Sequence, residues 1–148
     1  MALTQGPILV TTDLSPLGDE ALSRAGDLAR ALARPLVLLS VVEVPVAPSA
    51  LYAHYYPSPT PAQMAEAHKK VESELARRAE PLRAAGLKVD LQVRAGEPAL
   101  EISKTVAALT PSLLVLSTHG RTGVKHFLLG SVAERVLRST KCPVLLVR

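Results

Sequence analysis

One glycine-containing stretch, from Ser117 to Ser131, carries the residues best suited to chemistry. It reads Ser-Thr-His-Gly-Arg-Thr-Gly-Val-Lys-His-Phe-Leu-Leu-Gly-Ser and holds three of the eight glycines. Glycine lets backbone N–H groups approach a ligand closely. A helix beginning at Gly130 and Ser131 would aim its first N–H groups and its positive dipole end at the same place, and Arg121 and Lys125 add positive charge. The stretch therefore indicates a phosphate-binding loop.

An ordinary strand-to-helix connection with a glycine turn accounts for the same residues. The spacing matches neither G-x-x-x-x-G-K-[ST] nor G-x-G-x-x-G, so the pattern alone leaves both interpretations open. His119 and His126 flank the glycines, but two histidines without a carboxylate or cysteine cluster make a poor metal site. The sequence contains no G-x-S-x-G elbow and no recognisable Cys/His nucleophile pair. We therefore assign no metal ligand and no catalytic residue, and a dedicated hydrolase is not indicated.

The charge distribution points to the same region. The 148 residues carry a formal net charge of +4. The stretch from Ser117 to Arg148 holds one acid, Glu134, against six bases, namely Arg121, Lys125, Arg135, Arg138, Lys141 and Arg148. This asymmetry favours a phosphate or polyanion partner, although a solvated basic face would look the same.

Composition excludes several other classes of protein. Cys142 is the only cysteine, so an intrachain disulfide and a thiolate zinc cage are excluded, and we expect this thiol to be a small buried apolar group. No apolar run reaches the roughly 20 residues that span a bilayer, and the N-terminus lacks a signal-peptide pattern. We expect a cytoplasmic protein. Aromatic residues make up only 3% of the chain, which argues against nucleic-acid binding through base-stacking surfaces.

Apolar and amphipathic runs alternate along the whole chain and predict a β-α-β-α-β-α-β-α-β order. Such alternation is typical of a parallel sheet covered by helices on both faces. We expect one α/β domain over residues 1–148, with a five-stranded, mainly parallel, doubly wound sheet of the flavodoxin or Rossmann type. The predicted strands are Ile8–Thr12, Leu36–Val42, Leu87–Val93, Leu113–Leu116 and Pro143–Val147, and the predicted helices begin near Ser15, Ala62, Glu97 and Gly130.

Several local patterns add detail to this order. Apolar residues alternate with polar ones from Leu87 to Val93, which predicts a half-exposed or edge strand. Five prolines and all three tyrosines lie between Pro45 and Pro61, which predicts a long surface loop or lid. Pro81 is expected to kink or interrupt the second helix near its end, and Gly86 to lie just beyond its C-cap. The third helix is expected to bury Leu100, Ile102, Val106 and Leu109.

In doubly wound sheets, ligands bind beyond the carboxyl ends of the strands, where the strand order reverses. In this chain that edge includes Thr12-Asp13, Val41–Val44 and Ser117–Gly123. Asp13 can accept hydrogen bonds from a ribose hydroxyl pair, or it can form a local Asx turn leading into a Ser15 N-cap. Ser131 can likewise bind a phosphate, cap the last helix, or do both.

The chain resembles the universal stress protein family over essentially its whole length. The resemblance rests on Ile8–Val10 with Thr12–Ser15, Leu39–Val42, Gly96–Pro98, His119–Gly123, Leu128–Ala133 and Pro143–Val147. The ATP-binding branch of that family carries G-x2-G-x9-G-[ST]. Gly120, Gly130 and Ser131 match the second part of this motif, whereas Ser117 replaces its first glycine.

The resemblance implies an adenine-nucleotide site. It places ribose near Asp13, adenine against Val41, and phosphates on Gly120–Gly123 and Gly130–Val132. The hydroxymethyl group of Ser117 could crowd the nucleotide or donate a hydrogen bond to it. The site as a whole would comprise Thr12, Asp13, Val41, Ser117, His119, Gly120, Arg121, Thr122, Gly123, Gly130, Ser131 and Val132.

The expected function is that of a stress-response regulator that binds Mg-ATP, with at most slow hydrolysis or autophosphorylation. The resemblance also implies a homodimer formed through the last strand, Val144–Val147, and an unidentified protein partner that reads the bound state. The alternative is a dimeric interaction module of the same family that needs no nucleotide. Ser117 is the residue that favours this alternative.

Overall fold

The computed structural model describes residues 5–45, 47–119 and 129–148. Within these residues, strands and helices alternate in the predicted order. A 3₁₀ helix, Ala50–Tyr55, adds one element between β2 and α2. The strands are β1 Ile8–Thr11, β2 Leu36–Glu43, β3 Val89–Gly96, β4 Leu113–Ser117 and β5 Val144–Val147. The helices are α1 Pro16–Ala31, α2 Pro61–Ala84, α3 Pro98–Leu109 and α4 Ser131–Ser139.

The strands form one five-stranded sheet in the order β3-β2-β1-β4-β5, and every pairing is parallel. The predicted α/β class and the parallel sheet are confirmed. Of the two orders named from the sequence, the chain adopts the Rossmann order rather than the flavodoxin order 2-1-3-4-5. The order reverses between β1 and β4, so these two neighbouring strands flank the crevice where such folds bind ligands.

Helices cover both faces of the sheet, and a separate apolar core lies under each face. On one face, α1 and α2 pack Leu22, Ala25 and Leu75 against Ile8 and Leu38 of the sheet. On the other face, α3 and α4 contribute a second cluster that includes Ala99, Ile102, Val106, Ala133 and Val136. The chain buries Leu, Val, Ile and Ala in these cores, as its scarcity of aromatic residues requires.

The edge strand and the end of α2 show where the sequence predictions held and where they failed. β3 pairs only with β2 and is partly exposed, as the alternating pattern predicted. Gly86 follows the Ala85 C-cap with a φ of 88°, a left-handed conformation that suits glycine. The prediction that Pro81 would interrupt α2 was wrong, because the helix continues to Ala84. Pro81 is exposed, so water can solvate the carbonyl that a proline leaves without a helical donor.

Two further details differ from the sequence-based expectation. The segment from Pro45 to Pro61 was predicted to be a long surface loop or lid; it includes the short 3₁₀ helix Ala50–Tyr55, and α2 begins at Pro61 rather than near Ala62. Its side chains are largely exposed, in agreement with a surface segment. In α3, Ile102 and Val106 are buried as expected, but Leu100 is 50% exposed and points away from the core. Ala99 occupies the buried position beside it.

Candidate functional site

A cleft of about 620 Å³ opens at the carboxyl ends of β1, β2 and β4. Its volume falls within the roughly 300–1,000 Å³ of small-molecule sites. The cleft lies at the reversal point between β1 and β4, the position that the Rossmann order reserves for ligands. Its walls come from the β1–α1 turn, the end of β2, the β4–α4 connection, and one face each of α2 and α3.

The β1–α1 turn brings Thr12 and Asp13 into the cleft through a network of local hydrogen bonds. The Leu14 N–H donates to Thr12 Oγ1 at 3.0 Å, and the Ser15 N–H donates to Asp13 Oδ1 at 3.0 Å. The Ser15 hydroxyl also donates to Asp13 Oδ1, and Ser15 Oγ accepts from the Gly18 N–H as the N-cap of α1. The Asx turn and the Ser15 cap are therefore both present. A carboxylate has several lone-pair positions, so this turn leaves Asp13 able to accept from a ligand as well.

Gly18 allows the first turn of α1 to pack directly against these two side chains. A β-carbon at position 18 would lie 2.5 Å from Thr12 Oγ1 and 3.0 Å from Asp13 Oδ1. The first distance is shorter than real β-carbon contacts and the second lies at their tight limit, so a side chain at this position would displace Thr12 and press on Asp13. The helix start thus fixes where Thr12 and Asp13 lie. The sequence analysis did not single out this glycine.

The β4–α4 connection forms the opposite wall of the cleft. Ser117 ends β4, and both Thr118 and His119 line the cleft beside it. The Thr118 N–H donates to Val147 O at 2.8 Å, which ties this wall to β5, and Thr118 Oγ1 is hydrogen-bonded to His119 Nδ1 at 2.9 Å. On the other side of the connection, the Gly130 N–H donates to Thr118 O at 2.6 Å.

The N-terminus of α4 faces the cleft through Gly130, Ser131, Val132 and Ala133. Gly130 is the N-cap, and it has no side chain that could accept from the first-turn N–H groups. A β-carbon on Gly130 would lie 2.8 Å from Thr118 O, so the glycine permits a close backbone approach. Ser131 was predicted as a possible cap, but it is the first helical residue instead. The arrangement suits an anion, because helix N-termini present N–H donors and a positive dipole end.

The end of β2 forms the apolar side of the cleft. Val41 is half-buried, packs against the core under α3 and α4, and also lines the cleft. It therefore belongs to the core and to the site together. Leu39, Leu116 and Ile102 extend the same apolar surface. A flat, apolar ligand group could be buried against this surface at little cost in free energy, because apolar surface leaves water favourably.

One face of α2 closes the cleft on the side of Asp13. Its residues Ala67, Lys70, Val71 and Glu74 follow helical spacing and all line the cleft. The sequence analysis missed this wall, because it assigned no role to the residues of α2 that line the cleft. The interleaved Ala67 and Val71 were the available signal, since they give that face an apolar stripe at i, i+4 spacing.

The structure brings most of the predicted site residues together. Thr12, Asp13, Val41, Ser117, His119, Gly130, Ser131 and Val132 all line this single cleft. Gly120, Arg121, Thr122 and Gly123 lie outside the described residues.

Among the residues that are described, no three His, Cys, Asp or Glu side chains are grouped so that they could hold a metal ion. Across residues 5–45, 47–119 and 129–148, no helix has both the length and the apolar character needed to cross a bilayer.

Cys142 lies away from the cleft, at the start of β5. It is half-buried against the core under α3 and α4, and its thiol donates to Pro111 O at 3.5 Å and to Pro143 O at 3.3 Å. Burial raises the pKa of this thiol, so less of it is thiolate at neutral pH than in a free cysteine. Its surroundings are those of a packing residue, although it is less fully buried than the sequence led us to expect.

The fold and the cleft together define a Rossmann-type α/β protein with a cleft of small-molecule size at the strand-order reversal. The model of the universal stress protein family matches residues 6–148, and the chain therefore belongs to that family. A universal stress protein of Methanocaldococcus jannaschii is 43% identical over 63 residues, which are 43% of this chain and 37% of that protein. A relative from Staphylococcus haemolyticus is 29% identical over 149 residues, covering 99% of this chain and 86% of that protein.

Solved structures of this family share the fold. The universal stress protein UspA of Lactobacillus plantarum superposes with a TM-score of 0.80 at 20% identity, covering 99% of this chain and 100% of that chain. A protein of Archaeoglobus fulgidus in complex with dAMP gives 0.67 at 18% identity, with 99% and 100% covered. A universal stress protein in complex with cAMP gives 0.66 at 24% identity, with 97% and 96% covered.

Proposed function

We propose that this chain is a stress-associated regulatory protein that binds an adenine nucleotide, Mg-ATP, in the cleft at the reversal point. The observation that carries the proposal is the start of α4. There, Gly130 packs against Thr118 O and leaves the first-turn N–H groups without a side-chain cap at the cleft. Any turnover of the nucleotide would be slow hydrolysis or autophosphorylation. A cytoplasmic location stays an expectation from the sequence.

Each part of the proposed ligand corresponds to one wall of the cleft. The N-terminus of α4, with Ser131, would hold the phosphates, and Ser117 and His119 lie on the same wall. Asp13 would accept from the ribose hydroxyls, as acidic residues do in other Rossmann-type folds. Val41 and its apolar neighbours would contact the base. A bound magnesium ion would neutralise part of the phosphate charge.

The solved structures add independent support for an adenine nucleotide. Two proteins with this fold are complexes with cAMP and dAMP, which share the adenine base and a phosphate with ATP. Their identities to this chain are low, so they support the kind of ligand rather than its details. The α4 N-terminus supports a phosphate at this place, and the choice of a triphosphate is supported by the family resemblance.

Titration with Mg-ATP, with Ser117→Gly measured alongside, tests the proposal. We expect wild type to show a saturable rise in melting temperature, since a ligand at one hundred times its Kd adds about 2.7 kcal/mol of stability. We expect Ser117→Gly to change the Kd by less than tenfold, because the two side chains differ by one hydroxymethyl group. Ser58→Gly is the matched control, since Ser58 is exposed in the segment before α2 and does not line the cleft.

A nucleotide-independent interaction module remains the second candidate, and one observation favours it. Ser117 lines the cleft at the position where the ATP-binding motif has glycine. If wild type shows no thermal shift at millimolar Mg-ATP while Ser117→Gly does, the hydroxymethyl group blocks the cleft and this second function is the correct one. If neither protein shows a thermal shift, the nucleotide proposal is wrong, and the side chain of Ser117 is not the reason.

We also propose that two copies of the chain associate through β5. This strand lies at one edge of the sheet, and Val144, Leu145 and Leu146 are partly exposed in the single chain. An exposed apolar edge strand invites pairing with another chain. Sedimentation analysis should therefore give about twice the chain mass of 15.7 kDa at micromolar concentration. A species of single-chain mass across that concentration range would contradict the dimer.

A further inference from the structure

Arg78 on α2 is an arginine that the protein buries almost completely. Its side chain is only 12% exposed, whereas arginine side chains usually remain in water unless they are paired. Its guanidinium contacts three separate parts of the structure. Nε donates to Asp19 Oδ1 of α1 at 2.6 Å, Nη1 donates to Glu74 Oε2 of α2 at 2.6 Å, and Nη2 donates to Leu14 O at 3.1 Å.

The hydrogen bond from Arg78 is made to Leu14, a residue whose backbone conformation is unfavourable. Leu14 has a φ of 66°, in the left-handed region that a bulky residue rarely adopts. Such a conformation persists only where surrounding contacts hold it. The Leu14 N–H is fixed by Thr12 Oγ1, and its carbonyl by Arg78. Asp13 immediately precedes Leu14, so the orientation of its carboxylate depends on this turn.

The same contact also joins two walls of the cleft. Glu74 lines the cleft from α2, and Asp13 lines it from the β1–α1 turn. Arg78 bonds to Glu74 and to the turn that carries Asp13, so it sets the distance between the two walls. Arg77, the neighbouring residue, pairs with Glu74 at 3.0 Å from an exposed position on the helix.

The charges of this cluster support one another. Burial opposes the charge on Arg78, but hydrogen bonds to Asp19 and Glu74 outweigh it, so the pKa of the guanidinium is raised. In turn, hydrogen bonds from Arg77 and Arg78 lower the pKa of Glu74. Arg78 and Glu74 are therefore both charged at neutral pH, as the hydrogen bond between them requires.

We propose that Arg78 is a positioning residue, which holds the Leu14 carbonyl and thereby orients Asp13 toward the ribose hydroxyls of the nucleotide. The inference rests on the proposed nucleotide-binding function. Arg78 acts through Asp13 and contributes no direct ligand contact. Its planar fork is suited to three partners at once, which the single ammonium of lysine cannot reproduce.

The test compares two probes, Mg-ATP and Mg-2′,3′-dideoxy-ATP, by calorimetric titration. The second probe lacks both ribose hydroxyls and so reports binding without them. We expect wild type to bind ATP at least fivefold more tightly than the dideoxy probe. In Arg78→Met this preference should fall below twofold, while affinity for the dideoxy probe stays within threefold of wild type. The double variant that carries both Arg78→Met and Asp13→Ala should show the same preference for ATP as Asp13→Ala alone, because both changes remove the same interaction.

Two further variants separate positioning from general stability. Arg77→Met removes an exposed arginine that also pairs with Glu74, and it should keep the wild-type preference. Arg78→Lys keeps a charge for Asp19 and Glu74 but not the full fork, so it should lose most of the preference while remaining folded. Arg78→Lys therefore tests whether Arg78 is a positioning residue if Arg78→Met does not fold.

Each outcome has one meaning. If wild type binds neither probe, the proposed function itself fails and the inference falls with it. If wild type binds both probes equally, Asp13 does not bind ribose and Arg78 has no positioning role. If wild type shows the preference and Arg78→Lys retains it, or if affinity for both probes falls in parallel, Arg78 is only a structural residue. Loss of the preference alone supports the inference.

Discussion

Alanine in place of Gly130 is expected to weaken Mg-ATP binding by at least tenfold. The added β-carbon would lie 2.8 Å from Thr118 O, an atom that the Gly130 N–H already contacts at 2.6 Å. The backbone has to separate, and this moves the N-terminus of α4 away from the phosphate position. Tenfold corresponds to about 1.4 kcal/mol, in the lower part of the roughly 1–3 kcal/mol that overpacking costs.

Because Gly130 has a φ of −72°, alanine meets no conformational barrier there, and the effect comes from the close contact alone. Gly130→Val should weaken binding further, since a β-branched side chain is larger. Gly26→Ala is the matched control. Its β-carbon would lie 2.7 Å from Leu82 Cδ2, the far end of a flexible side chain, and 3.9 Å from Leu87 Cδ1, away from the cleft. Unchanged nucleotide affinity in a folded Gly130→Ala protein would remove the α4 N-terminus from the site.

Alanine at Gly18 is expected to damage both stability and ribose recognition. Its β-carbon would lie 2.5 Å from Thr12 Oγ1, a buried hydroxyl that already accepts from the Leu14 N–H. Overpacking of this kind costs roughly 1–3 kcal/mol, partly offset by the ~1 kcal/mol that alanine gains over glycine in a helix. The net expectation is a loss of up to about 2 kcal/mol in the free energy of unfolding, measured by urea titration.

The displaced turn should also lower ATP affinity several-fold, with less effect on the dideoxy probe, because Asp13 lies 3.0 Å from the added carbon. Gly26→Ala again serves as control. It lies in the same helix, gains the same helical propensity, and should leave the affinity within twofold of wild type. A Gly18→Ala protein that matches wild type in both measurements would show that the turn adapts freely, and the proposed fixed position of Asp13 would be wrong.

The sequence predicted the fold class because its periodicities are local. Four strands have an apolar run, and β3 alternates apolar and polar residues. Ser15 and Gly86 mark the start of α1 and the end of α2 through their own chemistry. Strand order is different, since it depends on how the sheet assembles. Nothing in the apolar runs themselves decides between the Rossmann and flavodoxin orders.

The site was predicted in outline for the same reason. Asp13 and Ser117 follow strands, so their place at the carboxyl edge came directly from the strand assignments. The residues that were missed act through tertiary contacts. Gly18 matters because a β-carbon there would meet Thr12 and Asp13, and Arg78 because it bonds to Asp19 of α1 and to Leu14 of the β1–α1 turn. Ser131 was expected to cap α4 from its side-chain preference, but Gly130 takes that place, where a close backbone approach leaves no room for a side chain.

The two principal walls of the cleft come from opposite ends of the chain, one after β1 and the other at the start of α4. Any fragment that contains both walls spans the chain from β1 to the start of α4, so the cleft exists only when β1, β2 and β4 have assembled. Any small molecule held there consequently protects the entire molecule against global opening. Its abundance would then set how quickly proteases destroy the protein, which links the lifetime of the chain to its supply of ligand.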